Sequence, residues 1–149
     1  MSIESTAATS LRLLLVDGHP GFLQAALHEI RNDKRIGSMM SAQSGREAIE
    51  QVTAWSPDLV VMEIALPDGN GFDVGRSIKA VASVTYVVLM TVYETNVYSQ
   101  AAVSAGLDGV INKGDFSAQL RGVVDRLCAL STGITVGSRP GKRLGDGRI

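Results

Sequence analysis

At 149 residues, with Lys+Arg 14 nearly balancing Asp+Glu 15 and a net charge of −1, the chain fits one globular domain and offers no dedicated surface for nucleic acid. Cys128 is the only cysteine, which excludes an intramolecular disulfide and any cysteine-based metal cluster and reads as a core thiol. The opening MSIESTAATS has neither a basic start nor an apolar run, so neither a secretion signal nor a membrane span is expected, and the location is expected to be cytoplasmic.

Residues 1–10 show no periodic pattern and are expected to form a flexible lead-in. Leu11 to Val16 is a short apolar run closed by Asp17-Gly18, the pattern of a strand buried on both faces. Pro20 suits a helix's first turn, and Phe22, Leu23, Ala26, Leu27 and Ile30 supply one apolar face. Ile36 to Ala42 is less apolar, which places it at a sheet edge. Ser44-Gly45-Arg46-Glu47 fits a capping box opening a second helix through Ala54, and Pro57 ends it.

Leu59 to Met62 is a third strand, delivering Glu63 into the turn Pro67-Asp68-Gly69-Asn70-Gly71, where glycines are expected to supply positive φ. A third helix follows with Val74, Ile78 and Val81 on one face, then a fourth strand, Tyr86 to Met90, closing on Thr91. The fourth helix, about Thr95 to Ala105, spaces Val97, Ala101 and Ala105 by four and stops at Gly106, the expected left-handed cap. Gly109 to Ile111 makes a fifth strand before Lys113. Asp115 is placed to cap a last helix whose face is Phe116, Leu120, Val123, Val124 and Leu127. Residues 132–149, with five glycines and four basic residues against one acid, read as a flexible tail or interdomain linker after a domain spanning 11–131.

Alternating, near-continuously apolar strands and amphipathic helices predict a doubly wound (βα)5 fold with a five-stranded parallel sheet and right-handed crossovers. With the order 2-1-3-4-5 of a flavodoxin-like sheet, the switch point lies between strands one and three. Asp17, Glu63, Thr91 and Lys113 then gather at one sheet edge.

Those residues carry a resemblance over about residues 11–131. LLLVDGHPGF and PDLVVMEIALPDGNGFDV, with Thr91 and Lys113 in register, resemble the receiver domain of a two-component response regulator, in particular receivers followed by a LuxR-type helix-turn-helix. The resemblance implies that Glu63 holds the phosphoacceptor position, Thr91 and Lys113 the switch positions, and Asp17 the acidic pocket, with Asp17 and Glu63 as metal ligands. It also implies a sensor histidine kinase or other signalling protein as partner, a homodimer through the face of the fourth helix, fifth strand and fifth helix, and signalling without enzymatic activity. Tyr98, Ala102 and the region of Arg121 are the candidate contacts on that face, and Tyr93 and Tyr98 are expected to be partly exposed. This segment itself is expected to touch neither nucleic acid nor membrane.

Four departures from the family pattern bear on that chemistry. Gly18 replaces the second metal-binding acid, so no cofactor is expected and Mg²⁺ is held weakly. Glu63 is longer than aspartate by roughly 1.5 Å, displacing its oxygens from in-line attack. Val92 stands where a small residue gives access to the acceptor, and Val110 where many members carry a switching aromatic. These predict a pseudo-receiver that does not use phosphorylation as its input. Pairing of Lys113 with Glu63 either holds the fold near one signalling state or only balances charge at the sheet edge; both readings stand. A working phosphoacceptor with unusual chemistry is a further alternative. A small α/β enzyme or cofactor binder is another, opposed by the lack of a Gly-rich phosphate loop or a serine elbow. His19 is read as positioning its loop rather than as a ligand, and Trp55 as covering the core.

Overall fold

The structure, a computed structural model, describes residues 10–133. The expected lead-in and tail fall outside the described residues except for Ser10 and the last turn of the final helix.

Strands β1 (Leu11–Val16), β2 (Ile36–Ala42), β3 (Leu59–Glu63), β4 (Tyr86–Thr91) and β5 (Gly109–Asn112) form one sheet in the order β2-β1-β3-β4-β5, every pair parallel. This is the flavodoxin-like arrangement read from the sequence, built on runs such as Leu13 to Val16 and Val60 to Met62 that are fully buried. Helices α1 (Pro20–Ile30), α2 (Gly45–Trp55), α3 (Gly71–Val81) and α4 (Asn96–Ser104) alternate with the strands. Leu14, Val16, Val60, Met62, Val87 and Leu89 pack with Ala48 and Val52 of α2, Ile78 of α3 and Ala102 of α4. The alternate residues Leu13, Leu15, Val61, Val88 and Met90 are buried just as completely, so both faces of the strands are covered.

The segment from residue 118 belongs to helix α5 (Phe116–Gly133), whose buried stripe is Leu120, Val123, Val124 and Leu127 at helical spacing, as expected. Cys128 is only half-buried, so it is not the core thiol that the sequence suggested.

Three local readings are corrected. The core side of α4 is Ala102 rather than Val97 and Ala101. Val97 is 65% exposed and Ala101 is exposed too, because a short helix with apolar residues all round leaves the face undecided by a spacing of four. In α3, Val81 lies on the last turn and is 64% exposed, while Ile78 is buried. Asp115 does not cap α5: a 3₁₀ turn, Lys113–Asp115, leads into it, and the Asn112 side chain accepts from Gly114 N at 2.8 Å.

The turn after β3 carries a two-residue antiparallel ribbon, Ala65–Leu66 against Gly69–Asn70, that the sequence did not disclose. Within it Gly71 is needed for space rather than for positive φ. A Cβ there would lie 2.7 Å from the Glu63 carbonyl oxygen and 3.1 Å from Ile64 Cα. Gly106, at φ +78°, is the left-handed residue ending α4, as expected.

Candidate functional site

The register decides which side chains meet. Val16 pairs with Met62, so Asp17 and Glu63, each one residue further on, stand level on neighbouring strands and point to the same face as Leu15 and Val61. Met90 pairs with Glu63 and Ile111 with Met90, which puts Thr91 one residue beyond the Glu63 row and Lys113 two beyond it. Lys113 returns over the edge because the chain turns at once into the 3₁₀ segment.

Asp17 is fully buried, and the Glu63 side chain is 12% exposed. Two nitrogen groups, the Lys113 ammonium and the His19 ring, flank this carboxylate pair, each lying against one oxygen of each acid. Lys113 Nζ lies 2.6 Å from Asp17 Oδ2 and 3.4 Å from Glu63 Oε2. His19 Nδ1 lies 2.9 Å from Asp17 Oδ1 and 3.7 Å from Glu63 Oε1. The His19 backbone N–H also donates to Asp17 Oδ1 at 2.9 Å. The lysine ammonium sits 4.4 Å from the centre of the Phe22 ring on α1, a cation–π contact that shields it from water. Glu63 Oε1 is buried and accepts no hydrogen bond.

These contacts push the two acids apart in acidity. Burial works to raise Asp17, but hydrogen bonds from Lys113 and His19 and the lysine charge outweigh it, so its carboxyl is held below the usual aspartate value. Glu63 goes the other way: burial and the neighbouring Asp17 charge raise it, and Lys113 offsets only part of that. Asp17 is therefore the stronger acid of the pair and Glu63 the weaker.

Of the residues read from the sequence, Asp17, Glu63 and Lys113 come together. Thr91 is buried at the same edge, and its Oγ1 accepts from Tyr93 N at 3.0 Å, which ties it to the loop that follows. Val92, expected to narrow the approach to Glu63, is 62% exposed. Val110 is partly buried and packs against the core. Tyr93 is 65% exposed and Tyr98 half-buried, its ring 6.2 Å from that of Phe72. Ala102 is 1% exposed and offers no surface for a partner, which removes it from the candidate contacts. Trp55 packs on the core with Arg12 5.0 Å above its ring.

Two residues gain importance. His19, set aside as a loop residue, faces both carboxylates; its position two residues past a strand-end acid was the available signal. Asp68, read only as part of a turn, accepts from Gly45 N at 2.8 Å and Arg46 N at 3.0 Å. It thereby caps α2 beside Ser44, whose Oγ accepts from Glu47 N at 3.1 Å. The Glu47 side chain completes the turn by accepting from Gln43 N at 2.8 Å, one residue earlier than a standard capping box would have it. Bonds from the α2 amides hold the Asp68 carboxyl below its usual value.

Residues 13–125 match the family model described as the response regulator receiver domain. The chain belongs to this family. Over 102 residues the receiver is 31% identical to the chemotaxis protein CheY of Halobacterium salinarum, covering 68% of this chain and 83% of that protein. It is 30% identical over 128 residues to protein-glutamate methylesterase/protein-glutamine glutaminase 4 of Myxococcus xanthus, covering 81% of this chain but 36% of that protein. The chain thus spans about a third of the length of the methylesterases it matches. Among solved structures, a LuxR-family two-component response regulator from Aurantimonas sp. SI85-9A1 superposes with a TM-score of 0.74 at 24% identity, over 80% of this chain and 86% of that one. The receiver domain of a LuxO repressor-like protein from Vibrio parahaemolyticus gives 0.73 at 18% identity, over 85% and 96%. At these identities the structures establish the shared fold. Receivers are signalling domains that work with sensor kinases and other signalling proteins. Among the described residues no helix is long and apolar enough to cross a membrane.

Proposed function

We propose that this receiver passes on a signal through protein contacts in the cytoplasm without taking a phosphoryl group at Glu63, and that it governs a DNA-binding output domain or a separate partner. The observation that carries this reading is the position of Lys113, already neutralised at 2.6 Å by Asp17 and 3.4 Å from Glu63. In family chemistry that lysine pairs with the incoming phosphoryl group. Here two carboxylates hold it, in a pocket that needs no added anion to balance its charge.

The residues present do not fit the Mg²⁺ that the family implies. Gly18 supplies no carboxylate, and Pro67 Cγ lies 2.9 Å from where a Cβ at position 18 would stand. The carboxylate oxygens facing Lys113 are already engaged by its ammonium. A small, hard cation that demands several oxygen ligands finds too few here. Intact-mass measurement after incubation with acetyl phosphate and Mg²⁺ tests the proposal. The chain is expected to keep its mass, and a stoichiometric phosphoryl adduct at Glu63 overturns the reading.

A second reading is favoured by the 3.4 Å approach of Glu63 Oε2 to Lys113: the longer acid supplies the missing negative charge and biases the domain toward one signalling state. Self-association is the readout, since the surface around Tyr98 on α4 belongs to the expected dimer face. Under this reading Glu63→Gln changes the monomer–dimer equilibrium measured by sedimentation. An unchanged equilibrium leaves the cluster a purely structural charge balance.

A further inference from the structure

We propose that strand β2 is an interaction edge on which a second copy of this chain pairs, antiparallel and centred on Met39, joining the two sheets into one. The case begins with the direction of the main-chain groups. The Asp17 N–H donates to the Ala42 carbonyl at 3.1 Å, so Ala42 faces β1. Direction alternates along a strand, and the register Val16↔Ala42, Leu14↔Met40 and Arg12↔Ser38 keeps one parity throughout. Met39 and Ser41 therefore turn both N–H and C=O away from the sheet, and Gly37 turns its C=O the same way. Among the described residues no strand lies beyond β2.

The two edges of the sheet are guarded differently. At the far edge β5 has only four residues, and shortness is one way of blunting an edge. β2 has seven residues, IGSMMSA, with neither charge nor proline, so the usual deterrents to edge pairing are missing. Its register shift falls at the beginning, opposite Leu11 and Arg12, and leaves Ser38 to Ala42 regular.

This edge is its own complement. About a twofold axis at Met39, that residue meets Met39 of the second copy, and Gly37 meets Ser41. The Met39 pair exchanges both main-chain bonds, and each Ser41 N–H donates to a Gly37 carbonyl. Met39 is half-buried, and its adaptable thioether gains cover from its counterpart across the pair. Charge favours the same direction. Lys34 and Arg35 outnumber Asp33 just before the strand, while just after it the Glu47 carboxylate is folded onto the Gln43 N–H at 2.8 Å. Antiparallel pairing brings these unlike ends together. The inference is independent of the expected dimer face on α4, which uses other elements.

Cysteine cross-linking of the full chain in a Cys128→Ser background tests it. In this pairing the two Cα atoms at position 39 stand about 5.5 Å apart, within the span of a disulfide. Met39→Cys is expected to give a covalent dimer with oxidised glutathione, whereas Ser41→Cys, about 14 Å from its own copy in this register, is not. Sedimentation velocity of the parent chain should show a dimer that grows with concentration. Met39→Pro is expected to abolish it, and because the Met39 N–H makes no bond to β1, proline is tolerated there. Met39→Lys, which sets two ammonium groups face to face, should abolish it as well. Far-UV circular dichroism checks the folding of each variant. The proposal is overturned if the parent chain stays monomeric, if Ser41→Cys cross-links as fast as Met39→Cys, or if the dimer survives in whichever of Met39→Pro and Met39→Lys is folded.

Discussion

Lys113 and Asp17 are joined at 2.6 Å, the lysine side chain 11% exposed and the aspartate wholly buried. Removing one partner of such a pair strands the other charge away from water, and the loss exceeds what the pair itself contributes. Lys113→Met is therefore expected to cost about 3 kcal/mol in urea unfolding. Asp17→Asn is also destabilising, and the double variant should cost less than the two single losses combined, with a coupling of about 1–3 kcal/mol. Additive losses would show that the contact is not a functioning pair.

Stability should depend on pH through Glu63 in a definite direction. Its carboxyl is raised in the fold, first by burial and then by the Asp17 charge, so the folded chain binds that proton more tightly than the unfolded chain. The resulting stabilisation is complete below the ordinary glutamate value of 4.5 and is lost as pH rises through the higher folded value. Glu63→Gln keeps a neutral side chain throughout. Its stability relative to the parent should rise across that window and level off near about +1 kcal/mol at neutral pH. Asp17 has the opposite sign: its contribution is present above the ordinary value of 3.8 and disappears as pH falls through the lowered folded value.

Restoring the family's acids should restore its chemistry. Gly18→Asp with Glu63→Asp supplies the missing ligand and withdraws the longer carboxylate, and a phosphoryl adduct is expected with acetyl phosphate and Mg²⁺. The new Cβ at position 18 meets only the exposed ring of Pro67, at 2.9 and 3.0 Å, so the cost in stability should be about 1 kcal/mol. Intact mass reads the adduct, and thermal unfolding reads the cost.

Two glycines of α3 should respond differently to alanine. At Gly71 the new methyl would meet backbone, the Glu63 carbonyl oxygen at 2.7 Å, and a loss of about 2 kcal/mol is expected. At Gly75 it would meet only the Leu107 side chain, at 2.8 Å, which can rotate, and alanine is the better helix former. The Gly75 variant should stay within about 1 kcal/mol of the parent in urea unfolding.

Asp68→Ala should loosen the start of α2 without unfolding the domain. The Gly45 and Arg46 amides lose their acceptor, and their hydrogen exchange should quicken several-fold relative to amides in mid-helix. Acidification through the lowered Asp68 value should produce the same local change in the parent chain.

The sheet was legible because its strands are buried on both faces, which leaves runs such as Leu59 to Met62 with hardly an alternative. The meeting of Asp17, Glu63 and Lys113 followed from strand ends alone. The faces of α3 and α4 were less legible: alanine and valine around a short helix carry little phase information, so Val81, Val97 and Ala101 were assigned to the core while Ala102 took the place. Beyond sequence reach were contacts made between loops. Asp68 finds its amides 22 and 23 residues away, and no local pattern encodes that. The division of four carboxylate oxygens between Lys113 and His19 depends on the paths of two loops leaving different strands.

The close approach at Gly71 gives the domain a lever. Its N–H bonds the Ile64 carbonyl at 2.7 Å and the backbone packs so close to Glu63 that no side chain fits, so the first turn of α3 is fastened to the end of β3. The next residue, Phe72, lays its ring against Tyr98 on α4. Through Gly71 and Phe72, α4 is thereby linked to the backbone at the very end of β3, where Glu63 stands.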